Sequence, residues 1–420
     1  MSGRNDCFAL PPGTHWTPVD ETLAALRAAA EPVTPVRHRP LAEAAGLRLA
    51  LPAIAERDNP PADNAAVDGY AFAQADIAGL ATEGGRVRLP LTPGRAAADR
   101  RASRVLAPGT AMRILTGASV PHGADTVVLQ EDALAEGGAV AFTPPTKPGA
   151  NVRRRGEDAA VGSVLLSPGH RLKPQDLARL AVAGVAQVGV HAPLRVGILS
   201  TGDELLQPGE DPAAIGIFDA NRPMLASLAA AWGFDAVDLG AVPDRAEAVR
   251  AALDRGAGSA DVILTTGGAS SGDEDHVSRL LGEEGSRAIW RIAVKPGRPL
   301  ALGRWQGVPI FGLPGNPVAA FVCALVFARP ALEVMAGGTW PDPVAYPLPA
   351  GFAMRKKGGR REYLRARLAD GRVERFHSEG SGLVGGLSWA DGLVELPDEA
   401  MSLAEGDPVR FLPWASFGLA

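Results

Sequence analysis

The sequence is organised around residues 261–276, which read DVILTTGGASSGDEDH. An apolar run of strand length leads into a loop of glycines and small hydroxyl side chains, then three acids, and a helical pattern begins at Val277. Glycines let a backbone approach a ligand closely, and the unpaired amides of a helix start favour negative charge. The acids would repel an anion unless a divalent cation lay between them. The stretch therefore predicts either a metal-bridged phosphate or oxyanion site, or a helix start that Asp275 merely caps.

The composition predicts a multidomain cytoplasmic protein. A length of 420 residues suggests about two to four domains. The formal net charge of −5 gives no general attraction to nucleic acid or to an anionic membrane, so neither is expected as a partner. Cys7 and Cys323 form no C-x-x-C pair, which fits a reducing compartment and excludes a structural zinc or iron–sulfur set. The first residues lack the apolar core of a signal peptide, and the longest apolar run, residues 318–328, is too short to span a bilayer.

A regular alternation of strand and helix patterns begins at Leu194. The predicted strands are residues 195–199, 236–239, 262–264, 289–294, 301–302 and 309–311. The predicted helices are residues 221–232, 245–253, 277–281 and 316–335. This alternation predicts a parallel α/β domain over residues 194–340, whose ligands would lie beyond the carboxyl ends of the strands.

The rest of the chain has different patterns. Residues 19–30 and 173–183 are predicted helices, and short β runs rich in Val, Leu and Thr, such as residues 86–91, 111–115 and 126–129, lie between them. We therefore expect a fold of the α/β plus β class, in which a β domain is inserted into a helical module. The predicted boundaries are 1–46 with 165–193 for the helical domain, 47–164 for the insertion and 341–420 for a C-terminal all-β domain.

Two acidic positions follow other predicted strands. In STGDEL, residues 200–205, hydroxyls and a glycine would hold a phosphate while Glu204 faced a metal or the reacting bond, but taken alone the loop is better explained as an ordinary turn with exposed acids. Two such loops at the same edge of one sheet favour a site. Asp244, with Glu247 three residues later, fits a helix-capping pattern that requires no further role.

Three other loops carry cations or glycine. KPGRP, residues 295–299, holds two cations on a stiff loop, which favours anion binding over a solvated basic turn. LPGNP, residues 313–317, ends a strand and opens a helix, so its amides would cradle a phosphate or only cap the helix. Residues 153–155 are three arginines that suit an anionic ligand, with a surface charge cluster as the commoner explanation. The seven histidines show no ligand spacing, and no Ser-His-Asp or Cys-His set is arguable.

In this order the motifs resemble those of the molybdopterin molybdenumtransferase family, which comprises the MoeA proteins and the E-domain of gephyrin. The resemblance covers nearly the whole chain. Its motifs are D-N-x-A-x-D-G-Y-A at 63–71, R-I-x-T-G-A-x-V-P-x-G-A-D at 113–125, R-R-x-G-E-D ending at Asp158, S-T-G-D-E-L at 200–205, T-T-G-G at 265–268, K-P-G-x-P at 295–299 and L-P-G-N-P-V at 313–318.

The resemblance implies an elongated homodimer with a helical part, an inserted β domain, an α/β molybdopterin-binding domain and a C-terminal β-barrel. It implies an enzyme that takes adenylylated molybdopterin and molybdate and, with Mg²⁺ as cofactor, releases AMP and inserts molybdenum at the dithiolene. The adenylyltransferase of the preceding step is a candidate protein partner. The anionic substrates agree with the cationic and glycine-rich loops, and Mg²⁺ would let carboxylates share their site.

Carried over by motif, the resemblance also implies a site of acids, loop contacts and anion holders. The implied catalytic acids are Glu204, Asp244, Asp275 and Asp63, the first three also being implied metal ligands. The implied substrate contacts are Thr116, Arg155, Asp158, Ser200, Thr201, Gly202, Gly267, Gly268, Ser270, Lys295, Arg298, Pro314 and Asn316. Those numbered 63 to 158 would approach the site from the inserted domain of a second subunit.

Rival functions are an adenylyltransferase or nucleotide amidohydrolase built on a related α/β domain, and a non-catalytic scaffold of the same fold. The β insertion and the N-P-V form of the proline–glycine loop argue against the first two. The intact acid and cation loops argue against a purely structural protein.

Overall fold

The structure is a computed structural model of the chain, and it describes residues 16–80, 82–98, 104–145, 147–211, 214–267, 276–297 and 299–419. Residues 268–275, which form most of the loop quoted at the outset, lie outside these ranges.

Helix α1 (Val19–Ala29) matches the predicted helix at residues 19–30. Its first turn carries Asp20 and Glu21, whose negative charges interact favourably with the positive end of the helix dipole. Val19 and Leu26 are buried in the same apolar cluster as Leu194 and the helix Arg329–Met335. The helix therefore packs against the α/β layer, a partner that its own sequence does not indicate.

The chain between α1 and residue 193 forms small paired strands around a larger sheet. Its elements are β1 (Val36–Pro40), β2 (Ala53–Ile54), β3 (Asn64–Ala65), β4 (Gly69–Phe72), β5 (Val87–Ala96), β6 (Ala111–Ile114), β7 (Thr126–Leu129), β8 (Ala133–Glu136), β9 (Ala139–Phe142), β10 (Val152–Arg153), β11 (Val164–Leu166), α2 (Pro174–Val182) and β12 (Gln187–His191). Antiparallel pairs β1 with β12 and β2 with β11 bring the two ends of this region together.

Helix α2 covers nearly all of the helix predicted at residues 173–183. Pro174 lies in its first turn, where a missing N–H costs nothing, and Asp176 accepts a 2.8 Å hydrogen bond from the Lys173 amide. Buried Leu180 packs with Leu49 and Leu172 in one apolar core.

The inserted β sheet has the strand order β7-β4-β6-β5-β9-β8. Its core includes Phe72 and Phe142, whose ring centroids are 4.7 Å apart. The runs predicted at residues 86–91, 111–115 and 126–129 are β5, β6 and β7, so the alternating β pattern located these strands correctly.

The α/β region contains a second six-stranded sheet. Its elements are β13 (Arg195–Thr201), β14 (Leu205–Leu206), β15 (Ile217–Phe218), α3 (Asn221–Ala231), β16 (Asp235–Val242), α4 (Ala246–Ser259), β17 (Val262–Thr266), α5 (His276–Glu283), β18 (Ser286–Arg291), β19 (Val294–Lys295), β20 (Pro299–Trp305), β21 (Val308–Leu313), α6 (Pro317–Cys323) and α7 (Arg329–Met335). The strand order is β16-β13-β17-β21-β20-β18. Strands β16, β13, β17 and β21 are parallel, as the βα alternation predicts.

The last two strands of this sheet correct the expectation of a wholly parallel sheet, because β20 and β18 are antiparallel. Gln306 and Gly307, with φ of 48° and 85°, form the two-residue connection between β20 and β21, the geometry of a tight hairpin turn. The strand predicted at residues 289–294 is also divided: β18 stays in this sheet, whereas β19 pairs with β24 (Arg361–Ala369) of the C-terminal region.

The long apolar helix predicted at residues 316–335 consists of α6, a π-helical segment Ala324–Ala328, and α7. Pro330, which lacks an N–H, follows the π segment. The apolar run at residues 318–328 lies inside a longer apolar helix, Pro317–Met335, whose 19 residues have a mean hydropathy of 1.9 and could cross a membrane by length and composition. Because 78% of the window is buried within the fold, we interpret it as a core helix.

The C-terminal region is a curled half-barrel. Besides β24 its elements are β22 (Tyr346–Pro349), β23 (Met354–Lys356), β25 (Arg372–Arg375), α8 (Gly385–Trp389), β26 (Gly392–Leu396), β27 (Met401–Leu403) and β28 (Pro408–Pro413). The main sheet runs β19-β24-β26-β28-β22, with β25 beside β24. Ala350, next to β22, bridges Val373 in β25, so the sheet curls back on itself, and the expected barrel is found as a half-barrel.

Candidate functional site

The carboxyl ends of the four parallel strands lie side by side at one edge of the α/β sheet. The loops that leave this edge begin at Gly202, Pro243, Gly267 and Pro314. The order of the strands thus brings the predicted STGDEL, Asp244, TTGG and LPGNP segments to the same edge.

Glycine is required where the first and third of these loops touch. Gly267 has a φ of +80°, and a Cβ built there would lie 2.3 Å from the carbonyl oxygen and 2.8 Å from Oγ1 of Thr201. A Cβ on Gly315 would lie 3.8 Å from the Gly267 Cα, so the LPGNP loop packs against the same point. Three loops therefore form one surface of closely packed backbone, the type of surface that approaches a ligand.

Two hydrogen bonds hold the loops of this surface in place. Ser200 Oγ and Thr266 Oγ1, both buried, are 3.3 Å apart across neighbouring strands. Asn221 Nδ2, at the start of α3, donates a 2.7 Å hydrogen bond to the Gly315 carbonyl. The predicted contacts Ser200, Thr201, Gly202 and Gly267 are therefore gathered on rigid elements, with Pro314 and Asn316 on either side of Gly315.

Carboxylates crowd together beside this surface. The Asp244 amide donates a 3.1 Å hydrogen bond to Asp203 Oδ1, and a Cβ on Gly202 would lie 2.6 Å from Glu204 Oε2. Burial raises the pKa of Asp244, and the negative charges of Glu204 and Asp203 raise it further, whereas Thr201 and His276 act in the opposite direction. The ionised form of Asp244 thus needs a positively charged or hydrogen-bonding partner.

Two buried polar atoms at this point, Asp244 Oδ1 and Thr201 Oγ1, make no hydrogen bond of normal geometry with the described residues, although Thr201 lies close enough to Asp244 to lower its pKa. Both are buried atoms, and buried polar atoms without a partner are costly. No three His, Cys, Asp or Glu side chains within the described ranges converge closely enough to form a metal centre by themselves. The third acid predicted for the metal, Asp275, lies outside those ranges, as do Gly268, Ser270 and Arg298.

The KPG turn packs against the LPGNP loop. A Cβ on Gly297 would lie 2.9 Å from Cys323 Sγ and 3.7 Å from Pro314 Cγ. Burial raises the pKa of the Cys323 thiol to about 12, so this cysteine is a packing residue and not a thiolate nucleophile. The Lys295 ammonium is held by Glu379 at 2.7 Å and by Glu362 at 3.4 Å, two carboxylates of the half-barrel.

The predicted contacts in the β insertion form a group of their own. Asp63 accepts hydrogen bonds from the Arg155 amide at 2.8 Å and from Arg154 Nη1 at 2.6 Å, and these bonds lower its pKa. Arg155 Nε donates to Asp58 Oδ2 at 2.5 Å. Asp63 and Arg155 are thus held as an ordered ion network on the insertion.

Thr116 and Asp158 have partners within the insertion as well. Thr116 donates from its amide and its hydroxyl, both at 2.7 Å, to Asp68 Oδ1. Asp158 Oδ2 accepts a 2.8 Å hydrogen bond from Asn59. All the side-chain hydrogen bonds that the structure gives for this group join residues 58–161, so the group is not bonded to the described residues of the sheet-edge loops in its own chain.

Sequence reasoning missed several residues that organise these groups. Asp203 lies between the predicted residues Gly202 and Glu204, and that position was the available signal, whereas Asp68 lies in the motif at 63–71 but contacts Thr116, which is 48 residues away. Glu362 and Glu379 are more than 60 residues from Lys295 in sequence, and no local pattern links them to it.

A sheet edge of this kind, preceded by a β insertion and followed by a half-barrel, defines a class of multidomain α/β proteins with a loop-built ligand site. Family models identify the member of this class. The MoeA N-terminal region (domain I and II) matches residues 17–184, a probable molybdopterin binding domain matches residues 197–334, and the MoeA C-terminal region (domain IV) matches residues 347–414. The chain belongs to the MoeA family, which confirms the resemblance drawn from the motifs.

Named relatives agree over nearly the full length. The chain is 32% identical to the molybdopterin molybdenumtransferase of Haemophilus influenzae, over 91% of this chain and 94% of that protein. It is 35% identical to molybdopterin molybdenumtransferase 2 of Mycobacterium tuberculosis, over 92% and 96%. The crystal structure of the molybdopterin biosynthesis moeA protein from Pyrococcus horikoshii matches with a TM-score of 0.82 and 28% identity, over 95% of this chain and 100% of that one.

Proposed function

We propose that the protein is a molybdopterin molybdenumtransferase, which inserts molybdenum from molybdate into adenylylated molybdopterin and releases AMP. Membership of the MoeA family supports the transferase assignment. The observation that carries the finer proposal is the crowding of Asp203, Glu204 and Asp244 beside closely packed backbone loops, because it combines an anion-accepting surface with acids that need a cation.

The residues of the sheet edge fit a magnesium ion. Magnesium prefers carboxylate oxygens, and Asp244 Oδ1 is a buried oxygen with no partner among the described residues. Glu204 and Asp244 would hold the ion, with Asp275 as the third predicted acid. When bound, the ion would neutralise the acids and the substrate phosphates and polarise a phosphoryl oxygen.

The remaining groups have simple roles in this proposal. Thr201, Gly202, Gly267 and the LPGNP amides bind phosphate oxygens through the backbone, and Lys295 supplies a cation for molybdate. Asp244 and Glu204 orient the phosphate bond whose cleavage releases AMP, and their carboxylates supply the negative charge that holds the cation. Each role is one that the family resemblance implies, and the charge and position of the residue agree with it.

We further propose that the active form is a homodimer in which the insertion of one chain completes the site of the other. Asp63 and Arg155 lie in an ordered ion network, and Asp158 is hydrogen-bonded to Asn59. Among the described residues none of the three is bonded to the sheet-edge loops of its own chain, which supports an intermolecular role. The division into domains at residues 46, 164, 193 and 340 remains our proposal, as do a cytoplasmic location and the preceding adenylyltransferase as a partner.

The experiment that tests this function mixes purified protein with adenylylated molybdopterin, molybdate and Mg²⁺. AMP release together with formation of active molybdenum cofactor supports the proposal. Formation of adenylylated molybdopterin from ATP would instead identify the adenylyltransferase rival. If the protein neither releases AMP nor forms adenylylated molybdopterin, the non-catalytic scaffold is favoured.

A further inference from the structure

A second cluster of charged side chains lies far from the sheet edge, where the small β1/β12 module meets the α/β region. Arg48 is 3% exposed and forms a two-pronged ion pair with Glu333, Nε to Oε1 at 2.8 Å and Nη2 to Oε2 at 2.6 Å. Its Nη2 also donates to the Trp232 carbonyl at 3.0 Å. One guanidinium and one carboxylate thus neutralise each other across the junction.

Two more arginines point at the same turn. A Cβ on Gly233 would lie 2.8 Å from Arg171 Nη2 and 3.9 Å from Arg48 Nη1, so both guanidinium groups approach this glycine. A Cβ on Gly418 would lie 3.2 Å from Arg329 Nη2 and 3.5 Å from Trp232 Cδ1. Arg48, Arg171 and Arg329, which we call the arginine junction, therefore surround the turn at residues 232–233.

The arginine junction has a surplus of positive charge. Burial lowers the pKa of Arg171 and that of Arg329, the charge of Arg48 lowers both further, and the charge of Arg171 lowers the pKa of Arg329. Among the described residues, Glu333 is the one carboxylate that raises either pKa. Three guanidinium groups thus share one carboxylate in a partly buried place.

Most of the hydrogen-bond donors of Arg171 and Arg329 have no protein acceptor within the described ranges. Arg171 Nε donates to the Gly46 carbonyl at 3.3 Å, and Arg329 Nη1 to the Ser416 carbonyl at 3.5 Å, both long bonds. A guanidinium carries five N–H donors in a planar fork that matches the oxygens of phosphate and related anions. Both the donors without an acceptor and the surplus positive charge favour an anionic ligand with several oxygen atoms.

We propose that the arginine junction is a binding site for a small tetrahedral oxyanion such as phosphate or sulfate, bound between Arg171 and Arg329. The anion would connect two separate parts of the chain, and the hydrogen bond from Arg329 to the Ser416 carbonyl joins a third to them. Arg171 belongs to the module that carries the β insertion, Arg329 begins α7, and Ser416 lies in the C-terminal segment. Binding would therefore stiffen the junction that sets the position of the insertion. This proposal is independent of the function assigned to the sheet edge.

Calorimetric titration of the full-length protein tests the site. Potassium phosphate, sulfate and molybdate are titrated separately into Lys295→Met/Arg298→Met protein, at an ionic strength kept constant with potassium chloride, because this variant lacks both predicted anion holders of the KPGRP loop. We expect one site for at least one tetrahedral anion, and about tenfold weaker binding after Arg171→Met or Arg329→Met in the same background. The three titrations distinguish phosphate, sulfate and molybdate as the ligand.

Two controls keep the test decisive. Arg171→Lys retains the charge and removes the fork, so it should bind the anion more weakly than wild type even if Arg171→Met fails to fold. Arg372→Met, which removes an exposed ion pair with Glu405, should leave the titration unchanged. Absence of binding for all three anions, or equal binding with and without the two arginines, would overturn the proposal.

Discussion

The ammonium of Lys295 lies 2.7 Å from the carboxylate of Glu379, a residue on the loop that follows β25 in the half-barrel. Glu379 is 45% exposed as a side chain, whereas the second partner, Glu362, is 8% exposed. The cation assigned to molybdate is therefore already paired with a carboxylate that the solvent can reach. Any anion that binds Lys295 must compete with Glu379 for it.

Replacement of Glu379 by Gln should strengthen anion binding. The change removes the competing negative charge but keeps the side-chain size, so the KM for molybdate should fall several-fold with a smaller effect on kcat. The hydrogen bond from Lys295 lowers the pKa of Glu379, so the wild-type carboxylate competes throughout the neutral range. Steady-state assays across molybdate concentrations measure the effect. Glu405→Gln, on an exposed ion pair of the same half-barrel, is the matched control, and a higher KM in Glu379→Gln would contradict the account.

Asp244→Asn should stabilise the protein at neutral pH in the absence of magnesium. The pKa of Asp244 is raised by burial and by Glu204 and Asp203, so the folded state holds its proton more tightly than the unfolded state does. This contribution is present at low pH and is lost as the pH rises through the folded-state pKa of Asp244. The difference in melting temperature between variant and wild type should therefore grow from acid to neutral pH.

Magnesium should reverse that difference. If the ion binds at Asp244, it raises the melting temperature of wild type at neutral pH and changes that of Asp244→Asn much less. Thermal scans in EDTA and in magnesium chloride, at equal ionic strength, provide the comparison. An equal magnesium response in both proteins would place the metal elsewhere.

Gly267→Ala should destabilise the protein more than Gly307→Ala does, because it also disrupts the sheet edge. Both Gly267 and Gly307 have a φ near +80°, but a Cβ at Gly307 meets no atom within 4 Å, whereas one at Gly267 overlaps Thr201. Gly307→Ala should cost about 1 kcal/mol in the free energy of unfolding from backbone strain alone. Gly267→Ala should cost more and also abolish most of the activity. Denaturant unfolding and AMP release measure the two effects, and equal losses would argue against close packing of the loops.

Mixed dimers test whether the insertion acts in the other subunit. Glu204→Gln and Asp63→Asn should each be inactive alone. After the two are mixed and allowed to exchange subunits, about a quarter of the wild-type activity should return, since half of the dimers would be mixed and each would have one complete site. If the site lies within one chain, or the protein is a monomer, the mixture should stay inactive.

Local patterns predicted much of the fold. Strands β6, β7, β13 and β17 and helices α1 and α2 lie within a few residues of their predicted positions, because apolar periodicity is a property of the segment itself. Which strands pair with each other was harder to predict from the sequence. The antiparallel β20 and the departure of β19 to the half-barrel depend on which strands meet, and that information is spread over the chain.

The candidate site shows the same limit. The loops at Ser200 and Gly267 could be placed at one edge because parallel strands align their carboxyl ends. The pairing of Lys295 with Glu379, and of Arg48 with Glu333 across 285 residues, could not be predicted, since the residues share no local pattern. Long-range ion pairs are fixed by how separate units pack, which one sequence does not reveal.

The central claim is that Glu204 and Asp244 act with magnesium on a nucleotide-bearing pterin. Its most direct test is single-turnover AMP release from adenylylated molybdopterin, with molybdate and Mg²⁺, by wild type and by the Glu204→Gln/Asp244→Asn double variant. The account predicts that the double variant still binds the substrate but releases AMP at least ~10²-fold more slowly. AMP release at the wild-type rate by a folded double variant would contradict it.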